Sequence, residues 1–464
     1  MRDAPVILWF RQDLRIADQA ALRAAANDGP VLPLYVLDDD APGAWRMGAA
    51  QRWWLHHSLQ SLSESLDKLG LRLILRRGEA VSVIARLAHQ TGAERIHCLR
   101  HHEPWWAVAE ERLARDFDLQ AREGGSLAPV GSIRTGSGDA FRVFAPFWRK
   151  LAARMPPPAP CPAPTHVPAP ERWPEGDRLE DWGLLPTHPN WAKGFAPCWA
   201  PGEAGALDRL SAFESHAAVY RRERDLPSED ATSRLSPHLH FGEVSPATIW
   251  HRLANRKAHD FLRELAWRDF AQQTIADHPD LGESNGRAMF DRIRWRSGAQ
   301  AESDFRAWTR GRTGYPIVDA GMRQLWTTGW MHNRVRMIVA SFLVKHLLID
   351  WRRGDCWFWD TLVDADYGNN SLNWQWVAGT GFDASPFFRI MAPLLQSEKF
   401  EAIGYIRHWV PELRDVSDGA IHDPHAAGAA CAQYPEMIVG HREGRERALE
   451  AWRSIRPDQD WPHP

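Results

Sequence analysis

Short apolar runs with little polar alternation open the chain: Val6-Ile7-Leu8-Trp9-Phe10, Val31 to Leu37, Leu71 to Leu75 and Arg95 to Leu99. Such runs predict strands buried on both faces. Between them, residues 18–27, 49–69, 79–91 and 105–116 repeat their apolar positions at helical spacing. Strands alternating with helices predict a parallel α/β domain, here over residues 1–130. The pattern then breaks. Residues 155–174, MPPPAPCPAPTHVPAPERWP, cannot sustain a helix or a central strand, because proline lacks the amide donor and fixes φ. With their flanks they predict an interdomain connector over 131–204. From 205 to 464 helical spacing dominates, as in Asp260 to Ala276 and Met331 to Ile349, which predicts an all-α second half.

Composition narrows the class. Of 464 residues, 44% are hydrophobic and 25% charged, which excludes disordered, collagen-like and coiled-coil chains. No apolar run reaches membrane-spanning length, and the start, MRDAPVILWF, is too short and too soon charged for a secretory signal, so a cytoplasmic protein with no membrane partner is expected. The net charge of −3 means that any nucleic-acid contact rests on a local patch. Fifty of the 56 basic residues are arginine, whose planar forks suit phosphates. Cysteines 98, 161, 198, 356 and 431 form no CxxC pair, which argues against a disulfide framework, a zinc site and an iron–sulfur cluster. Tryptophan is in surplus, 25 against 6 tyrosines, although apolar volume can be filled without an indole N–H to satisfy.

Candidate chemistry lies mostly in the second half. In WMHNRVRMIVASFLVKHLLIDW (330–351), Asn333, Arg336 and Met337 fall at i, i+3 and i+4 and share a face, beside the packing residues Ile338, Val339, Phe342 and Leu343. The polar pair is expected to be partly buried, and a buried arginine needs an anion. Asp364 and Asp366 offer one; if their stretch is helical, Asp366, Asn370 and Trp374 line one face. A plain Arg–Asp core pair fits the same residues. Ala231-Thr232-Ser233-Arg234-Leu235-Ser236-Pro237 sets hydroxyls and an arginine before a Ser-Pro helix start, which suits a pyrophosphate or an N-cap without ligand. Tyr220 precedes Arg221-Arg222-Glu223-Arg224, a phosphate contact or a solvated charge run. Glu264 and Trp267 in RELAWRDF sit at i, i+3: an acid beside an aromatic platform suits a nucleobase, or is an ordinary helix surface. Asp38-Asp39-Asp40 reads as a solvated loop in preference to a metal site, and the histidines (His56-His57, His101-His102, His238 and His240) as structural or solvent-facing. No GxGxxG follows the first strand, so a dinucleotide fingerprint is missing.

The motifs WFRQDLRIAD, TSRLSPHLHFGEVSP, ELAWRDF, GRTGYPIVDAGMRQL, TGWMHNRVRMIVASFLVKHLLIDW and DADYGNNSLNWQWVAGTG, in that order, make nearly the whole chain resemble the photolyase/cryptochrome family, with Gln19 where Asn is usual. The resemblance implies an N-terminal Rossmann-like parallel α/β domain, a long connector and a C-terminal helical FAD-binding domain. It further implies that Tyr220, Thr232, Ser233, Arg234, Leu235 and Ser236 hold the FAD phosphates and nearby backbone. Asn333 and Arg336 would lie along the flavin, Asp364 would pair with Arg336, Asp366 would bind near the ribose and ring edge, and Asn370 would face flavin N5. Trp374, Trp351 and Trp295 match an electron relay, with Trp308 competing for the outer position. Glu264, Trp267, Asn333, Met337 and Trp376 match a lesion pocket. Asn333 and Met337 stand where (6-4) photolyases carry histidine, which implies cyclobutane pyrimidine dimers in UV-damaged DNA as substrate. Asn370 is the photolyase residue where plant cryptochromes carry Asp and animal ones Cys. GAAQRWWLHHSLQSL and HHEPWW resemble class III photolyases and plant cryptochromes, implying a methenyltetrahydrofolate antenna with Glu103 as a contact. A monomeric repair enzyme without a signalling tail is expected; the alternative is a blue-light cryptochrome-type photoreceptor with FAD and little or no repair. The sequence departs from the family at Ile390-Met391-Ala392-Pro393 and at Ser371-Leu372-Asn373.

Overall fold

The computed structural model describes residues 4–428 and 433–455, so Cys431 lies outside the described residues. The chain forms two compact units: Met1–Tyr220 with Thr232–Pro279 and Val363–Asn369, and Arg221–Ala231 with Asp280–Leu362 and Asn370–Pro464. These units cut across the boundaries drawn at 130 and 204, because the helical stretch 232–279 packs with the α/β part.

In the first unit, β1 (Val6–Phe10), β2 (Val31–Leu37), β3 (Ile74–Arg77), β4 (Arg95–Leu99) and β5 (Asp118–Arg122) form one parallel sheet in the order β3-β2-β1-β4-β5. Ile7 pairs with Leu32 on one side and with Ile96 on the other. Every residue of β1 and β2 is buried, which is why both read as unbroken apolar runs. Four helices fall at the spans their spacing predicts: α1 (Ala20–Asp28), α2 (Ala49–Asp67), α3 (Ala80–Thr91) and α4 (Pro104–Asp116). The third strand starts at Ile74, later than the apolar run from Leu71. The fifth strand escapes sequence reading because DLQAR is a half-exposed edge with mostly polar residues.

Helix α5 (Phe144–Ala152) forms inside the predicted connector and buries Phe144, Phe147 and Leu151, spaced i, i+3, i+7. The proline tract after it has neither helix nor strand, yet it is tied down: Asp18 N donates to Cys161 O (2.7 Å) and Val31 N to Pro168 O (2.8 Å). The stretch following β5 is also anchored, against the helix His259–Asp277. Asp269 Oδ2 accepts from Leu127 N (2.8 Å) and Ala128 N (3.1 Å), Gln273 Oε1 accepts from Gly131 N (2.7 Å), and Asp277 pairs with Arg134 (2.9 Å). Positions 269, 273 and 277 recur every four residues, so one face makes all three ties.

Among its described residues, the second unit has helices joined by loops and no strand. Its helices include Ala299–Thr309, Pro316–Thr328, Trp351–Thr361 and His441–Ile455. The run Met331 to Ile349 is not the single helix its spacing predicts. An α-helix spans Asn333–Ser341, a π turn follows at Phe342–His346, and Leu348 then adopts a left-handed φ of 50°. The π segment is buried at every position, Lys345 included, so apolar periodicity carries no mark of the widened turn. Lys345 Nζ donates to Ala378 O (2.6 Å) and lies 3.4 Å from the Phe387 ring centroid. No helix among the described residues is long and apolar enough to cross a membrane.

Candidate functional site

In the first unit, Arg209 organises the turn at Thr232–Ser236. Its Nε donates to Ser233 O (2.9 Å) and its Nη2 to Thr232 O (3.2 Å). Because trans peptides set N–H opposite C=O, the amides of Ser233 and Arg234 point away from Arg209. Arg234 sits at φ 49°, a strained conformation for a side-chain-bearing residue, and Ser233 Oγ accepts from Leu235 N (3.3 Å). Amides turned outward by a left-handed residue make an anion cradle. Ser236 Oγ donates to Asp364 Oδ2 (2.6 Å), and buried Tyr220 packs edge-on against Phe213 and Phe261.

Asp366 caps the helix Tyr367–Ala378, accepting from Asn369 N and Nδ2 at 2.8 Å each. Burial pushes its pKa up, but His240, 3.9 Å away, and the Arg268 guanidinium outweigh that and hold it down at about 2. A permanently ionised acceptor results. His240, read from sequence as structural or solvent-facing, is buried and serves this carboxylate.

The second unit holds the other half of the candidate set. Arg336 and Met337 are half-buried, whereas Asn333 is exposed, because it is the first residue of its helix beside the cap His332. That corrects the expectation of a partly buried Asn–Arg pair. Arg336 Nε donates to Met331 O (2.7 Å). Asn370 Nδ2 donates to Asp355 Oδ1 (2.5 Å) and Asp355 O (3.2 Å), while Ser371 Oγ donates to Asp355 Oδ2 (2.8 Å). The amide plane then aims Asn370 Oδ1 away from Asp355. Burial pushes Asp355 up to about 8, against these two donors.

Trp374 is buried with no partner for its Nε1 among the described residues, edge-on to Phe358 (5.0 Å) and Trp308 (6.3 Å). Trp351 is fully buried and donates to Asn285 Oδ1 (3.0 Å). Trp308 is also fully buried, donating to Val339 O (3.1 Å), whereas Trp295 is half-buried. Trp376 is half-buried on the same helix as Trp374.

Back in the first unit, Glu264 and Trp267 are half-buried on His259–Asp277. Glu103 is buried at the start of α4, and its Oε2 accepts no hydrogen bond among the described residues. Trp45 and Trp105 each meet Tyr367 edge-on, at 5.0 and 5.4 Å. Asp38 accepts from Asp40 N, Ala41 N and Ala80 N and so organises its own loop; no metal-holding group of His, Cys, Asp and Glu occurs among the described residues. Sequence reading passed over Arg209, Asp355 and Phe144, and of these only Asp355, an acid one turn after Trp351, carried any local signal.

In the first unit, an anion cradle and an ionised carboxylate, and separately in the second, an oriented amide and a buried indole, are groups of the kinds that suit a dinucleotide with a planar redox ring. Comparison with known proteins gives that ligand a name. The description "DNA photolyase" matches residues 6–165, and "FAD binding domain of DNA photolyase" matches residues 261–454. A deoxyribodipyrimidine photo-lyase of Agrobacterium fabrum is 47% identical over 480 residues, covering 98% of this chain and 99% of that one. The crystal structure of a bacterial class III photolyase from Agrobacterium tumefaciens matches with a TM-score of 0.93 and 46% identity over 98% of each chain. Cryptochrome-1 of Arabidopsis thaliana is 34% identical over 486 residues, 96% of this chain and 70% of that protein. With its sheet, its helical unit and its Thr232–Ser236 turn in the family's order, the chain belongs to the photolyase/cryptochrome family.

Proposed function

We propose that the protein repairs UV-damaged DNA by splitting cyclobutane pyrimidine dimers, with FAD as its cofactor. The likeness to photolyases over almost the entire length carries this reading. The residues fit FAD: Tyr220 and the turn Thr232, Ser233, Arg234, Leu235 and Ser236, steadied by Asp364, would hold the diphosphate, and ionised Asp366 the ribose and ring edge. Asn333, Arg336 and Asn370 would hold the flavin ring. When bound, reduced FAD supplies on excitation the electron that opens the cyclobutane ring.

The chain's own contribution is positional and electrostatic. A dimer stacks poorly, so extruding it costs only a few kcal/mol. Trp267, Trp376, Asn333 and Met337 receive the extruded bases, and Glu264 hydrogen-bonds the dimer and steadies the charge that develops on it. Trp295, Trp351 and Trp374 pass an electron inward; half-buried Trp295 suits the outer position, because that donor must meet an external reductant and Trp308 is sealed from water. The unpartnered Glu103 oxygen, with Trp105 close by in sequence and Trp45 meeting the same Tyr367 ring as Trp105, suits a flat antenna bearing N–H groups such as methenyltetrahydrofolate. The protein acts as a monomer in the cytoplasm.

The test illuminates the reduced protein with cyclobutane-dimer and (6-4) oligonucleotides separately and counts restored thymines. Restoration of the cyclobutane substrate alone is expected. A flavin-loaded protein that restores neither is instead a photoreceptor, the reading favoured by the identity to cryptochrome-1.

A further inference from the structure

We propose that Phe144 is a positioning residue of the lesion site: its ring backs one face of Trp267 and leaves the opposite face to stack on an extruded pyrimidine. The proposal rests on the reading that Trp267 receives a base. The two rings lie 3.8 Å apart, centroid to centroid, at 12° between planes. Such close face-to-face overlap is not what ring quadrupoles choose by themselves. Packing of α5 on His259–Asp277 imposes it. Phe144 is 2% exposed and is itself held by Phe147 (6.5 Å) and Phe270 (5.9 Å).

Trp267 also meets Phe270 edge-on at 5.7 Å, yet it stays half-buried while Phe144, Leu265, Ala266 and Phe270 around it are buried. With one face and an edge taken, the face turned from Phe144 is the one we assign to the base. A flat group landing there finds a platform that cannot tilt, so no rotamer freedom is lost on binding. Arg263 lies one turn before Trp267, exposed, with its guanidinium 5.7 Å from the Phe144 ring. A phosphate contact from Arg263 would position DNA of any sequence, whereas the backed indole discriminates the lesion.

The experiment measures binding of an oligonucleotide with one thymine dimer and of its undamaged twin to the FAD-loaded protein. Phe144→Leu keeps apolar volume but removes the flat backing. It is expected to weaken dimer binding about three- to tenfold, the range of an aromatic pair, and to leave undamaged binding, FAD content and repair yield per bound dimer unchanged. Phe144→Tyr is expected to restore dimer binding, and Arg263→Ala to weaken both DNAs alike. Trp267→Leu separates the two claims: if it weakens dimer binding and Phe144→Leu does not, the positioning role is overturned while the site stands. If Trp267→Leu fails to discriminate, the underlying reading of Trp267 falls and the proposal with it. Equal loss on both DNAs in Phe144→Leu also overturns the proposal. Should Phe144→Leu fail to fold, Phe144→Met carries the same comparison.

Discussion

Gly354 gives a prediction that reaches from one hydrogen atom to the electron relay. It lies in Trp351–Thr361, and a Cβ built there would stand 2.2 Å from Trp374 Cη2, 2.5 Å from Trp374 Cζ3 and 2.7 Å from Leu343 Cδ2. Ordinary contacts of a Cβ begin at 3.4 Å, so Gly354→Ala must drive the Trp374 ring away by more than an ångström. The ring has little room, since Phe358 and Trp308 flank it and it is 2% exposed. Overpacking of this kind costs about 1–3 kcal/mol. Alanine returns about 1 kcal/mol of helix propensity relative to glycine. A net loss of roughly 0–2 kcal/mol leaves the fold intact with a lowered melting temperature. Light-driven reduction of the oxidised flavin, followed by absorbance with external reductant present, is expected to slow, while repair by chemically pre-reduced protein persists. A lowered melting temperature with unchanged photoreduction would remove Trp374 from the relay. A melting temperature raised as far as the helix-propensity gain alone allows would refute the packing argument itself.

Other outcomes follow from the same geometry. Trp351→Phe is expected to abolish photoreduction but spare repair by pre-reduced protein, and Trp308→Phe to leave photoreduction in place; the opposite result would move the outer donor from Trp295 to Trp308. Burial pushes Asp269 to about 7 and Asp355 to about 8, so both keep in the fold a proton that the unfolded chain gives up near pH 4. Stability therefore falls as pH rises from about 4 through 7–8 and levels off above. Asp269→Asn is expected to flatten that fall by roughly 2–4 kcal/mol between about pH 5 and pH 8, read from urea midpoints, and parallel slopes in the two proteins would contradict the assignment. Glu103→Gln is expected to lower the antenna content of the purified protein without changing its FAD, as absorption spectra would show; equal antenna content would clear Glu103 of that role.

Sequence disclosed what depends on near neighbours or on complete burial. β1 and β2 are legible because both faces are covered, and the four-residue beat of Asp366, Asn370 and Trp374 because a single helix carries it, with Asp366 as its cap. Contacts between distant segments left no trace in spacing: Arg209 against the Thr232 and Ser233 carbonyls, His240 beside Asp366, and Phe144 on Trp267. The left-handed turn at Arg234 was hidden for another reason, since arginine is not a residue that advertises positive φ. The π turn at Phe342–His346 was masked by apolar residues on all sides.

The ladder from Asp269, Gln273 and Asp277 to residues 127–134 also bears on where the chain tolerates being lengthened. By position, a segment emerging from an edge strand looks like a permissive loop. Here its amides at Leu127, Ala128 and Gly131 are acceptor-matched to the helix that carries Glu264 and Trp267, so extra residues there would unfasten that helix. A few positions on, Ser137 is exposed, and among the described residues its hydroxyl bonds only to Thr135 and Asp139. A fusion partner or reporter belongs at Ser137-Gly138, where the backbone has only itself to hold.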